Sequence, residues 1–244
     1  MSKFRRAERR DGVNQSAVTV STPTGHARIE PAILYLGTPV VLVSTVNPDG
    51  TANLAPMSSA WWLGWTCMLG FDASSQTVAN LRRTGECVLS LPTASMAEQV
   101  DRLARTTGSV DVPWHKHAMG YHHVSDKFAR AGLTQAPAAT VGAPLVVECP
   151  IQLEATVARI QDVATNDPRM LIPTVAVEAT VQVVHAHESV RSRVYANRID
   201  PQQWHPLIMS FLEYFDVTPS AQPPGLRAVD EEFYGGRHPE PVLP

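Results

Sequence analysis

The segment of residues 39–91 constrains the fold of this chain more than any other part of the sequence. A β-rich run over 40–46 is followed by the tetrapeptide Asn-Pro-Asp-Gly at 47–50. Proline holds φ at about −65° in a tight turn, and glycine accepts the positive φ that closes such a turn. We therefore predict a β-hairpin whose second strand returns over 51–59.

A strand, a short helix and another strand are predicted to follow the hairpin within the same segment. Ser74 or Ser75 is placed to cap a helix that runs to about Arg83, and Gly85 stands where a helix often ends. The apolar runs on either side of this helix have the length and composition of strands. The predicted order is therefore strand, turn, strand, strand, helix and strand.

Two later segments alternate apolar and polar residues with the period of two that half-buried strands show. Their apolar rows are Ile151, Leu153, Ala155 and Val157, and then Val175, Val177, Ala179, Val181 and Val183. Helices are fewer: the spacing predicts them over 95–105 and 125–131, and Pro201 opens another around Trp204. Because strands dominate and are joined by hairpins, we predict a mainly β fold with α additions, a small antiparallel barrel.

One domain is predicted over residues 29–216. The chain has 244 residues, which is enough to bury a substantial core in one domain. Residues 1–28 are polar and are expected to form a flexible N-terminal arm. Residues 217–244 are rich in proline and are expected to form an extended C-terminal tail.

The composition argues against several classes of protein. A formal net charge of −3 gives no overall basic surface, so we expect no nucleic-acid partner. No stretch approaches the roughly 20 apolar residues of a membrane span, so no membrane association is expected. The three cysteines are widely spaced, which favours buried, reduced thiols over a disulfide framework or a zinc site. We therefore expect a cytoplasmic protein.

The usual nucleotide-binding signatures are missing from the chain. It contains neither a Gly-x-Gly-x-x-Gly fingerprint nor a Gly-x-x-x-x-Gly-Lys-Ser/Thr loop. Hydroxyl groups and free backbone N–H groups at the predicted helix start would instead suit a phosphate, because the helix dipole favours an anion there. These candidate residues are Ser74, Ser75, Gln76, Thr77 and Asn80. The alternative is a plain helix cap without a ligand.

A second cluster of small polar residues lies on the return strand of the hairpin. Small side chains let a flat ring approach the backbone and hydrogen-bond to it, and a tryptophan can form a wall beside the ring. The candidate residues are Asn53, Leu54, Ala55, Pro56, Met57, Ser58, Ser59 and Trp61. The alternative is an ordinary strand with core aromatic residues.

Histidines gather in the segment that contains His115, His117, His122 and His123, and others occur at 185 and 187. Imidazole rings at such spacing can bind zinc or copper. The alternatives are a solvated loop or contacts with a nicotinamide substrate near a flavin. We predict no metal site.

Five ordered motifs resemble the flavin reductase-like domain family, the flavoredoxin-like FMN-binding split barrels. The first three read Pro-Asp-Gly-Thr-Ala-Asn-Leu-Ala-Pro-Met-Ser at 48–58, Thr-Val-Ala-Asn-Leu at 77–81 and Thr-Gly-Glu-Cys-Val-Leu at 84–89. The last two read Asp-Lys-Phe-Ala-Arg-Ala-Gly-Leu-Thr at 126–134 and Ala-Pro-Leu-Val-Val-Glu-Cys-Pro-Ile-Gln-Leu-Glu at 143–154. The similarity extends over roughly residues 30–215.

This resemblance implies an FMN-binding split β-barrel that forms a homodimer, with FMN near the subunit interface. Residues 53–59 and Trp61 would line the isoalloxazine ring and ribityl chain, and the helix-start cluster would take the phosphate. Many relatives place a lysine or arginine near that helix start, whereas only Arg82 and Arg83 lie close to it in this sequence. A residue of the partner subunit is one candidate for the missing charge.

The function that the resemblance implies is hydride transfer from NADH or NADPH to flavin. The alternative is an FMN-binding electron carrier that does not itself react with NAD(P)H. No catalytic acid or base is assigned, since the flavin itself carries the redox chemistry. The reduced flavin is expected either to stay bound or to reach a partner monooxygenase.

Overall fold

A computed structural model describes residues 25–235 of the chain. The chain divides into two units after Leu34. The described part of the first unit, residues 25–34, forms neither a helix nor a strand of two or more residues, and nine of its ten residues are exposed. Much of the predicted arm (residues 1–24) and the end of the predicted tail (residues 236–244) lie outside the described residues. The predicted domain boundaries therefore remain predictions.

The described part of the second unit is dominated by β-strands. The strands are β1 (Leu36–Pro39), β2 (Val41–Val46), β3 (Ala52–Met57), β4 (Ala60–Leu63), β5 (Thr66–Asp72), β6 (Glu86–Leu91), β7 (Thr106–Thr107), β8 (His122–His123), β9 (Gln135–Ala136), β10 (Leu145–Val146), β11 (Ile151–Val163), β12 (Thr174–Ala186), β13 (Leu207–Ser210) and β14 (Glu213–Asp216).

Helices are short and lie between these strands. The α-helices are α1 (Gln76–Thr84), α2 (Ala97–Asp101), α3 (Trp114–Ala118) and α4 (Lys127–Ala131). Single 3₁₀ turns occupy Ala94–Met96, Glu188–Val190, Gly225–Ala228 and Glu231–Gly235. Within residues 25–235, no helix is both long and apolar enough to cross a membrane.

Seven strands form one antiparallel sheet with the order β3-β2-β6-β11-β12-β5-β4. Laid flat, its two edge strands would lie about 29 Å apart at the usual strand spacing. Only Ser58 and Ser59 connect these edges along the chain, however, and such a link reaches about 10 Å. The sheet must therefore curl until β3 and β4 meet. The result is the predicted barrel, with a split between these two edges.

The barrel interior is filled by the alternate residues of its strands. The two predicted apolar rows lie on β11 and β12, and most of their members are buried, as the period of two indicated. Val41 and Val43 of β2 face the same core, together with Val78 and Leu81 of α1. Helix α1 therefore packs its apolar face against the barrel core while its first turn stays near the polar end of β3.

A second apolar cluster lies on the outer side of β2 and β3. Leu42 and Leu54 pack there with Val100 of α2 and with Phe128 and Ala131 of α4. This packing fixes α4 beside β3, and it places the first residue of α4 near the barrel wall.

The local predictions hold in the first third of the domain and fail at two places beyond it. The hairpin β2–β3 and helix α1 form as expected, with Gly50 at φ 83° and Gly85 at φ 70°. The helix predicted over 95–105 is shorter, because it divides into a 3₁₀ turn and the five-residue α2. The helix predicted at Pro201 is wrong: the chain forms a turn there, and Trp204 packs at the edge of the barrel core.

Candidate functional site

The first turn of α1 is capped by the protein itself. The Ser75 hydroxyl accepts a hydrogen bond from the backbone N–H of Val78 at 3.2 Å. The N–H groups of Gln76 and Thr77, the first two of the helix, have no intrahelical partner. No acidic residue lies in this first turn, so the helix dipole there is not neutralised by a side chain of the helix.

A group of charged side chains lies directly before this helix, around the carboxylate of Asp72. Its Oδ1 accepts hydrogen bonds from Ser74, from the backbone N–H at 2.8 Å and from the hydroxyl at 2.6 Å. Its Oδ2 lies 2.8 Å from His115 Nε2 and 3.2 Å from Lys116 Nζ. Burial alone would raise the pKa of Asp72, but the hydrogen bonds and the charge of Lys116 lower it to about 2.

Lys127, the first residue of α4, is a buried cation without a partner among the described residues. It is only 3% exposed, and no hydrogen bond or ion pair is formed by its ammonium group within that part of the chain. Burial first, and then the nearby positive charge of Lys116, lower the pKa of Lys127 to about 8. A buried unpaired ammonium is costly, which indicates a place where an anion would be stabilised.

The two predicted clusters meet in a buried polar network at the end of the barrel. Asn53 Nδ2 of β3 donates to the hydroxyls of Thr77, at 3.1 Å, and Thr45, at 3.3 Å. Asn53 Oδ1 is buried without a hydrogen-bond partner among the described residues. Gly108 lies against this oxygen so closely that a Cβ there would be 2.4 Å from it and 3.1 Å from Gln76 Cγ. The segment around Gly108 therefore covers the network.

Asn80 ties α1 to the β2–β3 hairpin. Its fully buried amide nitrogen donates to Thr45 Oγ1 at 3.0 Å and to Asn47 Oδ1 at 2.9 Å, and its oxygen accepts from Gln76 Nε2 at 2.9 Å. The side chains predicted to bind phosphate are thus largely engaged in the protein's own hydrogen bonds. The donors that remain at this position are the first backbone N–H groups of α1.

The remaining predicted residues follow β3 away from this network and across the barrel seam. Ala55 and Met57 lie opposite inward-facing residues of β2, whereas Leu54 is fully buried on the outer side, so only its backbone is available to a ligand. The Ser59 carbonyl accepts the backbone N–H of Gly70 at 2.8 Å, which extends the β4–β5 pairing by one residue. Trp61 lies beyond the seam and is 57% exposed.

The sequence analysis did not identify four residues of this region, which are Lys116, Lys127, Asp72 and Gly108. The lysines are separated from α1 by more than thirty residues of chain, so no local spacing links them to the helix. Lys127 does lie inside the Asp-Lys-Phe motif at 126–128, which is the one signal that pointed to it. Within the same chain, Lys116 places a positive charge next to Asp72, just before α1.

The described histidines do not come together around a common centre, and two of them bond to carboxylates. Within residues 25–235, no group of three or more His, Cys, Asp or Glu side chains is arranged to hold a metal ion. His115 bonds to Asp72, and His185 Nε2 lies 2.6 Å from Oε1 of the buried Glu154. Glu154 also accepts the backbone N–H groups of residues 139 and 140, which fastens that loop to the barrel wall.

All three cysteines are free, buried thiols, as predicted. Burial raises the pKa of Cys67 to about 11, and it raises the pKa of Cys87 and Cys149 further. None of the three is therefore a reactive thiolate at neutral pH.

Comparison with known proteins assigns this architecture. The family model described as the flavin reductase like domain matches residues 34–209. The uncharacterised protein YdfE of Bacillus subtilis (strain 168) is 37% identical over 189 residues, which are 78% of this chain and 88% of that protein.

Two solved structures share the fold at low sequence identity. Flavoredoxin of Desulfovibrio vulgaris (Miyazaki F) has a TM-score of 0.65 at 19% identity, over 82% of this chain and 98% of that one. Nitrilotriacetate monooxygenase component B of Bacillus cereus has a TM-score of 0.60 at 16% identity, over 91% and 100% of the two chains. The family match covers most of the chain and agrees with the split barrel and the ordered motifs. The protein belongs to the flavin reductase-like domain family and is a flavin-related oxidoreductase.

Proposed function

We propose that this protein binds FMN and transfers a hydride from NADH or NADPH to flavin. The observation that carries the proposal is that the buried, unpaired Lys127 of α4 and the first backbone N–H groups of α1 lie on elements that both pack against β3, in a chain of the flavin reductase-like family. Such an arrangement favours a ligand with a compact negative charge, and the phosphate of FMN is such a group.

The residues of the site fit the two ends of FMN. The phosphate would be held by the backbone N–H groups of Gln76 and Thr77 and by Lys127 and Lys116. The ring and ribityl chain would lie along the backbone of residues 53–59, with Trp61 as a wall. The buried network below them holds the strand and the helix in fixed relation, so the binding groups are preorganised.

Bound FMN supplies the redox chemistry, since its ring accepts a hydride from a nicotinamide. The chain's own part is to hold and orient the flavin, to exclude water and to place positive charge and N–H donors nearby. We assign no catalytic acid or base, because hydride transfer to the ring requires none.

We propose that the protein is a homodimer with FMN near the interface. Trp61, Leu63 and Trp65 are large, exposed side chains on the β4–β5 hairpin, and β4 is an edge strand of the sheet. An exposed apolar edge of this kind favours burial by a second copy. Light scattering should give twice the mass of the 26.6 kDa chain. A monomer that binds FMN tightly would contradict this arrangement.

Two further parts of the proposal concern the surroundings of the protein. Reduced flavin is proposed to pass to a partner monooxygenase, in keeping with the similarity to a monooxygenase component B. A cytoplasmic location is proposed because the described cysteines are reduced thiols. Co-purification with a monooxygenase encoded in the same organism would test the first part.

An anaerobic titration tests the central proposal. FMN is added to the purified protein, and NADH and then NADPH follow while the flavin absorption is recorded. A perturbed flavin spectrum that bleaches with either nucleotide is the expected result. A bound flavin that stays oxidised would favour the carrier alternative, and absence of flavin binding would refute the proposal.

A further inference from the structure

A largely apolar cleft of about 450 Å³ opens beside the first turn of α1. Its walls come from three separated parts of the second unit. The lining residues are Ala73, Ser74, Pro113, Trp114, His115, Leu171, Ile172 and Pro173. The cleft therefore borders the proposed phosphate position without containing the residues that hold the flavin ring.

Two of the lining side chains are unusually exposed for their size. Trp114 is 80% exposed and Leu171 is 87% exposed, and both are apolar. Apolar pockets of a few hundred Å³ with a small number of polar groups are typical of small-molecule sites. A flat ring inserted between Trp114 and the Leu171–Pro173 segment would cover the apolar surface that is now exposed to water.

The polar group of the cleft has a defined orientation. His115 Nε2 lies 2.8 Å from Asp72 Oδ2, and the ionised carboxylate only accepts hydrogen bonds, so Nε2 carries a proton. The other ring nitrogen, Nδ1, has no hydrogen-bond partner among the described residues. In the neutral ring it is an acceptor, which suits a ligand that presents an N–H donor.

The ion pair of Lys116 and Asp72 stands at the inner end of the same cleft. The Lys116 ammonium adjoins Asp72, one residue from Ala73 in the lining, and the start of α1 follows immediately. A ligand lying in the cleft can therefore place a phosphate toward α1 and a flat, apolar ring with an amino group toward Trp114 and His115.

We propose that this cleft binds an adenylyl group, that is, adenosine 5′-phosphate as part of a dinucleotide. Adenine has the required flat ring and an exocyclic amine that donates to an acceptor such as His115 Nδ1. The dinucleotide is either FAD, whose flavin half would occupy the proposed FMN site, or the nicotinamide donor. The inference rests on the proposed function for the position of the phosphate and extends it to a second subsite.

Calorimetric titration with ADP and with IDP tests the cleft directly. ADP should bind saturably, and IDP, which lacks the amine, should bind about fivefold more weakly. The double variant Trp114→Ala/Leu171→Ala should weaken ADP binding by about tenfold or more, since the stacking surface is lost. Both side chains are largely exposed, so the variant should keep the wild-type melting temperature. Val194→Ala/Leu226→Ala truncates two exposed apolar side chains outside the cleft and should leave ADP binding unchanged.

The source of the adenylyl group follows from two further measurements on the same variants. If it belongs to FAD, wild-type protein binds FAD more tightly than FMN, and the cleft variant loses this preference while its FMN affinity is unchanged. If it belongs to the nicotinamide donor, the KM for NADH or NADPH rises in the cleft variant and the FAD-to-FMN ratio does not change. ADP binding that is absent, or equal in the wild type and the cleft variant, overturns the proposal. Loss of FMN binding with intact ADP binding would instead refute the proposed function alone.

Discussion

The substitution Lys127→Met separates the stability of the protein from its affinity for flavin. Methionine keeps the length and the apolar contacts of the side chain and removes only the buried ammonium. Burial and Lys116 hold the pKa of Lys127 at about 8, against 10.5 for an ordinary lysine. Since one unit of pKa corresponds to about 1.4 kcal/mol, the charge destabilises the flavin-free protein by about 3 kcal/mol at pH 7. The variant should therefore be more stable by about that amount.

The pH dependence of stability has a definite sign. Between pH 8 and pH 10.5 the unfolded wild type binds the Lys127 proton and the folded protein has released it. The free energy of unfolding therefore gains a contribution that rises with pH in this window. Lys127→Met lacks that contribution, so the two proteins should approach each other in stability toward pH 10.5.

Flavin affinity should change in the opposite direction. If Lys127 holds the FMN phosphate, the variant loses a charge-assisted hydrogen bond and binds FMN about tenfold more weakly or worse. Wild-type affinity should also fall as the pH rises above 8, because the phosphate then faces a neutral amine.

Urea denaturation of flavin-free protein and fluorescence titration with FMN measure both effects. Arg82→Met makes the same kind of change at an exposed position of α1 and should leave both quantities nearly unchanged. A Lys127→Met protein that is less stable than the wild type would refute the reasoning about an unpaired charge. A variant with greater stability and unchanged FMN affinity would refute only the phosphate assignment.

Three further predictions concern the supports of the site. Glu154→Gln should lower the free energy of unfolding by about 1–3 kcal/mol at pH 7. Because the pKa of Glu154 is lowered to about 2, the contribution of its carboxylate is complete above about pH 4.5 and is lost toward pH 2. The urea midpoints of the two proteins should therefore converge as the pH falls. Asn80→Leu should lower the free energy of unfolding by about 3 kcal/mol in the same assay, because Thr45 and Asn47 lose their shared hydrogen-bond partner. A variant as stable as the wild type would argue against the network. Gly108→Ala should lower the melting temperature and weaken FMN binding, because its Cβ would meet Asn53 Oδ1, whereas Gly225→Ala has open space and should change neither.

Short-range chemistry explains why much of the fold could be predicted from sequence. The Asn-Pro-Asp-Gly turn determines the β2–β3 hairpin through the φ preferences of proline and glycine. Ser75 and Gly85 delimit α1 because a cap needs only its own neighbours. The apolar rows of β11 and β12 follow from the alternation of side chains along a strand. These features depend on residues within a few positions of one another.

The two failed helix predictions have a tertiary cause. At 201–204 the apolar side chain that suggested a helix, Trp204, packs against the barrel edge from a turn. At 95–105 the helical spacing is broken at its start by a 3₁₀ turn, whose preceding residue Thr93 forms an isolated bridge with Pro206. Packing and strand contacts outweigh helix propensity in both segments.

The sequence by itself determined the family, the order of the elements and the strand and helix that form the two clusters. Only the tertiary structure decided which polar groups are used in the protein's own hydrogen bonds and which remain available. Asn80 and Thr77 are drawn into buried hydrogen bonds, while Lys116, distant in the chain, pairs with Asp72 just before α1, and Lys127 is buried where α4 packs against β3. The physical reason is that a cap or a turn needs only adjacent residues. The residues around a buried charge come from distant parts of the chain, so they are brought together only when the barrel has formed.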